Sequence, residues 1–157
     1  MSVRRIFVEK KAGFDVFAQG LLHDFKNNLR LQTLQSVRVL NRYDIEGISD
    51  KEFYDARDVV FAEPPVDLIH EEVFEIQNDE SVFAVEYLPG QYDQRADSAA
   101  QCIQIMTHGN RPAVAAAQVV ILKGVTDPEI VENVKKYYIN PVDSREASME
   151  KPKTLSM

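Results

Sequence analysis

The sequence predicts an α/β protein: a two-layer sandwich in which a mainly antiparallel sheet is covered by helices, with the unit duplicated about a pseudo-twofold. One observation is the order strand, glycine, helix, strand, capped short helix, which occurs over about 5–58 and again over about 82–139. Two such halves can lay their strands in one plane beneath a layer of helices. A second is size and composition: 157 residues, 45% hydrophobic and 27% charged, suffice to bury a core. The repeat is one of layout and not of residue identity.

In the first half, Ile6 to Val8 reads as a short strand, and Gly13 interrupts the chain before Phe14, Phe17, Leu21, Phe25 and Leu29 recur at helical spacing. Gly20 weakens this helix. Its phenylalanines read as core. Alternation through Val37, Val39, Asn41 and Tyr43 predicts a strand over roughly 36–45. Asn41-Arg42-Tyr43-Asp44 ends it as a polar cluster, where ligand contacts gather in α/β proteins, or where Arg42 simply pairs with Asp44 or Glu46. Ser49 and Glu52 have capping-box spacing and predict a short helix to about Arg57.

Pro64-Pro65 then ends regular structure, because proline lacks a donor and restrains its predecessor. The stretch 59–81 reads as an acidic connector or an edge excursion. From Arg57 to Arg95 no lysine or arginine occurs, while Asp58, Glu63, Asp67, Glu71, Glu72, Glu75, Asp79 and Glu80 all do. Such a block is solvated or meets a basic surface.

In the second half, Val82 to Tyr87 is a strand and Pro89-Gly90 a turn; a helix starts at Asp93 or Asp97, runs to about Met106 and closes at His108-Gly109. Cys102, the single cysteine, falls in the stripe Ala99, Cys102, Ile103, Met106 and reads as a buried small hydrophobe. Ala117 to Leu122 is apolar on both faces and predicts a central strand. Thr126 and Glu129 have capping-box spacing around Pro128, and Ile130, Val134, Tyr137 and Tyr138 supply a buried stripe. The domain is thus expected over 1–140. Residues 141–157 carry few apolar anchors and read as the start of a flexible linker.

Chemistry is sparse. Gly-x-Gly-x-x-Gly, Gly-x-x-x-x-Gly-Lys-Ser/Thr and His-Glu-x-x-His do not occur, and His23, His70 and His108 are far apart, with His70 read as a solvated connector residue. No catalytic residue and no metal ligand is expected. With 18 basic against 25 acidic residues, a net charge of -7, a nucleic-acid partner is not expected. The apolar stretch after Arg4 and Arg5 is too short for a signal peptide or a membrane span, so a cytoplasmic protein is expected.

The richest polar segment follows the Pro89-Gly90 turn. A helix beginning there exposes free N–H groups beside Gln91, Asp93, Gln94 and Arg95 and suits an anion or a docking partner. Asp93 and Asp97, at i and i+4, are expected to cap the helix and to face a cation respectively, or to touch a ligand or another domain. The candidate residues are therefore Arg42, Gln91, Asp93, Gln94, Arg95, Asp97 and Ser98.

Five segments carry a family resemblance: Arg4-Arg5-Ile6-Phe7-Val8-Glu9-Lys10-Lys11, Val39 to Gly47, Phe61-Ala62-Glu63-Pro64-Pro65-Val66-Asp67, Leu88-Pro89-Gly90-Gln91-Tyr92-Asp93-Gln94-Arg95-Ala96-Asp97-Ser98-Ala99, and Ile139 to Ala147. Together they resemble the N-terminal region of large, single-chain phosphoribosylformylglycinamidine synthase. That enzyme is an ATP- and glutamine-dependent carbon–nitrogen ligase of purine biosynthesis, and its N-terminal region is similar to two copies of the small dimeric subunit of its shorter forms.

The resemblance implies an inactive scaffold and docking module. It would bridge the synthetase and glutaminase domains of the same polypeptide, help ammonia pass between them and border the acceptor-substrate site. ATP, magnesium and the nucleophilic cysteine belong to later domains, so this region is expected to hold no cofactor and Cys102 is not that nucleophile. In the proteobacterial branch the Gln-Tyr-Asp-Gln-Arg run is replaced, and side-chain contacts do not carry over from it. An isolated region of this kind can self-associate through a sheet edge. The alternative from another class is an autonomous acidic regulatory domain binding a metabolite at Asn41 to Asp44 and Gln91 to Arg95.

Overall fold

A computed structural model describes residues 2–156. The first half contributes β1 (Arg4–Lys10), α1 (Val16–Asn28), β2 (Ser36–Glu46), α2 (Asp50–Ala56), a π-helical turn at Arg57–Phe61, and β3 (Asp67–Glu71). The second contributes β4 (Glu80–Tyr87), α3 (Gln94–Thr107), β5 (Ala113–Lys123), α4 (Pro128–Tyr138) and β6 (Ser144–Ala147). The strands form one six-stranded sheet in the order β3-β1-β2-β5-β4-β6, and every neighbouring pair is antiparallel.

The order is a palindrome of equivalent strands. β2 and β5 join the halves, β1 and β4 flank them, and β3 and β6 close the two edges. Asn41 pairs with Gln118 in the middle of the β2–β5 ladder, where the pseudo-dyad passes. The helices obey the same relation: Asp15 and Asp93 stand just before α1 and α3, and buried Ala18, Leu21 and Phe25 correspond to buried Ala96, Ala99 and Ile103.

Strand alternation decides which residues face the helices. Tyr43 and Ile45 of β2 and Ile6 and Val8 of β1 pack under α2 and α3 with Phe53, Ala56, Ala99 and Ile103. Val37, Phe83, Val120 and Leu122 pack under α1 and α4 with Leu21, Phe25, Val131 and Val134. Each cluster thus combines a helix of one half with a helix of the other. Splitting the chain between the halves would strip both clusters, so the two copies form one cooperative core.

The opposite face carries Phe7, Leu40, Ala84, Ala117, Val119, Ile121 and Ala147. The segment after β3 covers it from one side, where Phe74 meets the Phe7 ring edge-on at 4.7 Å. The segment after β6 crosses it from the other side: Arg5 Nη1 donates to the Met149 carbonyl at 2.7 Å and Arg42 Nη1 to the Ser148 carbonyl at 2.8 Å.

Several expectations need correction. The described residues of the expected linker, 141–156, are not loose: β6 pairs with β4 from Ala84–Ala147 to Tyr87–Ser144, and the guanidinium contacts hold the next residues. Backbone pairing and charged donors order this stretch, which its lack of apolar residues could not reveal. The connector 59–81 likewise contains the edge strand β3, and His70 on it is half-buried, 3.2 Å from Glu9 Oε1, rather than freely solvated. Each repeat therefore extends one strand beyond the expected halves.

Phe14 and Phe17 are 53% and 55% exposed and do not belong to the core. Helix α1 begins only at Val16, so Phe14 lies in the preceding turn, and the buried stripe runs Ala18, Leu21, Phe25. Cys102 is exposed because the inward face of α3 is set by Ala96, Ala99, Ala100 and Ile103. Helix α4 is capped by Asp127, whose carboxylate accepts the Glu129 N–H at 2.9 Å, and not by Thr126. The expected box at α2 is present, with the Ser49 hydroxyl accepting the Glu52 N–H and the Glu52 carboxylate accepting the Ser49 N–H.

Candidate functional site

The polar segment before α3 lies open at the surface. Gly90 has φ +90°, the left-handed region a glycine enters without strain, and the Gln91 N–H donates to Leu88 O at 3.0 Å. Leu88 N–H is tied to Asp143 O at 2.9 Å, which fixes the turn to the start of β6. Asp93 caps α3, accepting the Ala96 N–H at 3.1 Å. Asp97 is also occupied: it accepts from the Tyr92 hydroxyl at 2.8 Å and from the Arg111 guanidinium. These donors, the Tyr92 hydroxyl first, hold the Asp97 carboxyl below the usual carboxylate range. Gln91, Gln94, Arg95 and Ser98 are exposed, and their side chains make no hydrogen bond or ion pair with the described residues.

Arg42 does not join this group. Asn41 and Tyr43 face the helices, so Arg42 and Asp44 face the other side of the sheet by the two-residue period of a strand. The polar cluster expected at a strand end lies within β2 and is divided between two faces. Neither expected partner takes Arg42: Asp44 is held by Arg5, and Glu46 accepts from Thr154 Oγ1 and the Leu155 N–H. Arg42 is 5% exposed; burial, then the neighbouring Arg5 charge, lowers its pKa, and it serves the crossing tail.

On the helix-covered face two cavities lie on either side of the pseudo-dyad. The first, about 530 Å³, is bounded by Lys10, Asn41, Tyr43, Asp67, Arg95 and Gln118, with Phe14, Phe17, Val39 and Phe61 as apolar walls. The second, about 320 Å³, lies among Tyr87, Asp93, Tyr138 and Asn140, and Arg95 and Gln118 border both. Equivalent positions explain the difference in size. The Tyr138 hydroxyl in the second half donates to Gln118 Oε1, whereas its counterpart Phe61 has no hydroxyl and Asn41 is one methylene shorter than Gln118. The second site is bridged by its own side chains; the first is not. Burial pushes the Tyr138 phenol up to about 12.

The first cavity is lined by polar groups that are only partly engaged. Tyr43 is 7% exposed, and its hydroxyl makes no hydrogen bond with the described residues. Burial raises its pKa, the Arg95 charge opposes that shift, and Asp93 and Asp67 add to it. Asp67 Oδ2 accepts the Glu63 N–H at 2.8 Å. Its Oδ1 is buried without a hydrogen bond; Lys10 Nζ lies 3.0 Å away, near enough for an ion pair but outside hydrogen-bond geometry. Arg95 completes the cavity from the first turn of α3, at the position equivalent to Phe17 of α1.

Of the candidates, then, Gln91, Gln94, Arg95 and Ser98 are exposed around the start of α3, Gln91 beside Asp97 and Arg111 and Arg95 at the two cavities; Asp93 and Asp97 are structural parts of that segment, and Arg42 is elsewhere. Lys10, Asp67 and Gln118 had no motif to announce them. The one available signal was alternation, which puts polar Asn41 and Gln118 in phase with the apolar inward residues of their strands. Among the described residues no group of three or more histidine, cysteine or carboxylate side chains is placed to hold a metal ion. No helix there is long and apolar enough to cross a membrane. Compared with known proteins, the chain matches no family profile, no curated protein and no solved structure.

Proposed function

We propose that this chain is the N-terminal scaffold and interdomain docking module of an ATP- and glutamine-dependent phosphoribosylformylglycinamidine synthase, acting in purine biosynthesis in the cytoplasm. The observation that carries this reading is two interlocked copies of a strand-helix-strand-helix-strand unit in one chain, the arrangement implied by likeness to a paired small subunit. A surface suited to docking adjoins the dyad. Gln91, Gln94, Arg95 and Ser98 offer unengaged polar groups, and Phe14, Phe17 and Val59 form an exposed apolar rim on the same side.

In this reading the partners are the synthetase and glutaminase domains of the same polypeptide, which carry ATP, magnesium and the nucleophilic cysteine. The chain itself contributes position. Fixed by the Asp93 cap and the Asp97–Arg111 tie, the start of α3 is presented in one geometry and loses little entropy on docking.

The test is complementation in trans. A synthetase–glutaminase polypeptide of this family lacking its N-terminal region is mixed with the purified chain, and glutamine-dependent amidine formation is followed. Turnover restored by the chain, with none from the chain alone, is the expected result. Steady amidine formation by the chain alone, or no association and no restored turnover, would overturn the reading.

A further inference from the structure

The duplication has produced a larger cavity and a smaller one, and the difference lies in three pairs of equivalent residues. Phe17 corresponds to Arg95, Asn41 to Gln118 and Phe61 to Tyr138. In the second half the Tyr138–Gln118 hydrogen bond satisfies the polar groups that face the sheet. In the first half no equivalent bond forms. Asp67 Oδ1 is buried without a hydrogen bond, 3.0 Å from Lys10 Nζ, and the Tyr43 hydroxyl and the half-buried Asn41 amide, though not sealed from solvent, make none with the described residues. Buried polar groups are ordinarily paired. A buried carboxylate oxygen without a hydrogen bond, facing a cavity that two further unengaged polar groups line, therefore points to an occupant.

The charges around the cavity indicate its chemistry. Arg95 enters from α3 with no carboxylate within ion-pair distance among the described residues, so one end attracts an oxyanion. Asp67, ion-paired with Lys10 Nζ at 3.0 Å, stands at β3 beside Glu63, and Asp15 also lines the cavity. Asn41, able to donate and accept, and Gln118, whose amide nitrogen stays free to donate while its Oε1 accepts from Tyr138, lie between them on the dyad. A pure anion would leave the Asp67 end unmatched, and a pure cation would leave Arg95 unmatched.

We propose that the first cavity binds a small bipolar metabolite, its carboxylate or phosphate against Arg95 and its N–H or O–H donors against Asp67, Tyr43 and the Asn41 and Gln118 amides. A volume of about 530 Å³ is ample for such a molecule. Phe14 and Phe17, exposed at the mouth, provide apolar cover. The site stands on the cavity's own groups and does not depend on the docking assignment.

The test uses the 157-residue chain and three probes in a ¹H–¹⁵N NMR titration: glycine, glycerol 3-phosphate and acetate. Saturable shifts centred on Asn41, Tyr43, Arg95 and Gln118 are expected from at least one bipolar probe, with acetate about tenfold weaker because it carries no donor. Glycine alone would assign an amino-acid-like ligand, and glycerol 3-phosphate alone a hydroxylated phosphate. Arg95→Ala should weaken the bipolar probe about tenfold or more, and Tyr43→Phe severalfold, without moving the thermal midpoint. No saturation by about 50 mM of either bipolar probe, acetate binding as well as they do, shifts centred on Arg42, or binding indifferent to Arg95→Ala would each overturn the proposal. Complementation in trans fails or succeeds separately from this titration, so the two readings fall independently.

Discussion

Arg5 grips both carboxylate oxygens of Asp44, Nε to Oδ1 at 2.7 Å and Nη2 to Oδ2 at 2.9 Å, in a pair that solvent barely reaches. The same guanidinium donates to Met149 O at 2.7 Å, a residue 144 positions away in sequence. One buried cation thus joins the first strand, the second strand and the tail. Removing its counter-charge leaves it uncompensated, so Asp44→Ala should destabilise the chain by about 3–5 kcal/mol in urea unfolding. Loss of protection from hydrogen exchange at residues 148–151 should accompany it.

Arg42 and Arg95 face opposite sides of the sheet, and their substitution should separate two properties. In the complete enzyme of the proposed assignment, Arg95→Ala is expected to lower glutamine-supported turnover or acceptor use about tenfold or more with an unchanged melting temperature. Arg42→Ala should loosen the tail and lower stability while leaving the α3 surface as it is. Equal kinetics for wild type and Arg95→Ala would remove Arg95 from the functional surface.

Phe25, 0% exposed, meets Tyr137 and Tyr138 edge-on at 6.1 and 6.0 Å, whereas Phe14 and Phe17 are more than half exposed. Phe25→Ala is expected to cost about 3–5 kcal/mol through lost burial and the cavity left behind. Phe14→Ala should cost less than about 1 kcal/mol. Chemical denaturation of both variants checks the contrast, and equal losses would put Phe14 back in the core.

Gly124 has φ +93°, and a Cβ there would lie 2.2 Å from the Thr33 carbonyl oxygen. Backbone strain and a backbone clash act together, so Gly124→Ala should destabilise by about 2 kcal/mol or more. Gly13, also at positive φ but with open space around it, should lose less on the same substitution in a thermal melt.

Glu9 loses hydration on burial, which raises its pKa, but Arg38, bonded through Nε and Nη2 at 2.7 Å each, and then His70 outweigh this and leave it lowered from 4.5. A carboxylate whose folded pKa is depressed contributes stability above its unfolded pKa and loses it as pH falls through the folded value. Thermal midpoints should therefore hold steady above about pH 5 and decline below it. Glu9→Gln should flatten part of that acid limb; an identical pH profile for the variant would refute the role.

The chain spells out its local structure directly. Alternation marks β2, an uninterrupted apolar run places β5 at the centre, the Ser49–Glu52 spacing yields both bonds of the cap, and the Asp93 cap forms at the first of the two predicted starts of α3. The open Gln91 to Ser98 surface was legible for the same reason: a turn glycine and a cap are signals within a few residues. Cys102 and Phe17 misled because they lie beside the buried stripes rather than in them: Leu21 and Phe25 of α1 and Ala99 and Ile103 of α3 are buried as their spacing predicts, and a neighbour turned by up to about 100° faces out.

What residue order determined was therefore periodic and local: the elements, their approximate bounds and the twofold layout. Tertiary structure alone decided that two polar stretches become the edge strands β3 and β6, that Arg42 serves the tail and not Asp44, and that one of two equivalent cavities is bridged. Hydrogen bonds and ion pairs between residues far apart in the chain make those choices. Such a partner leaves no mark on the sequence around either residue, whereas a helix or strand repeats its pattern every few positions.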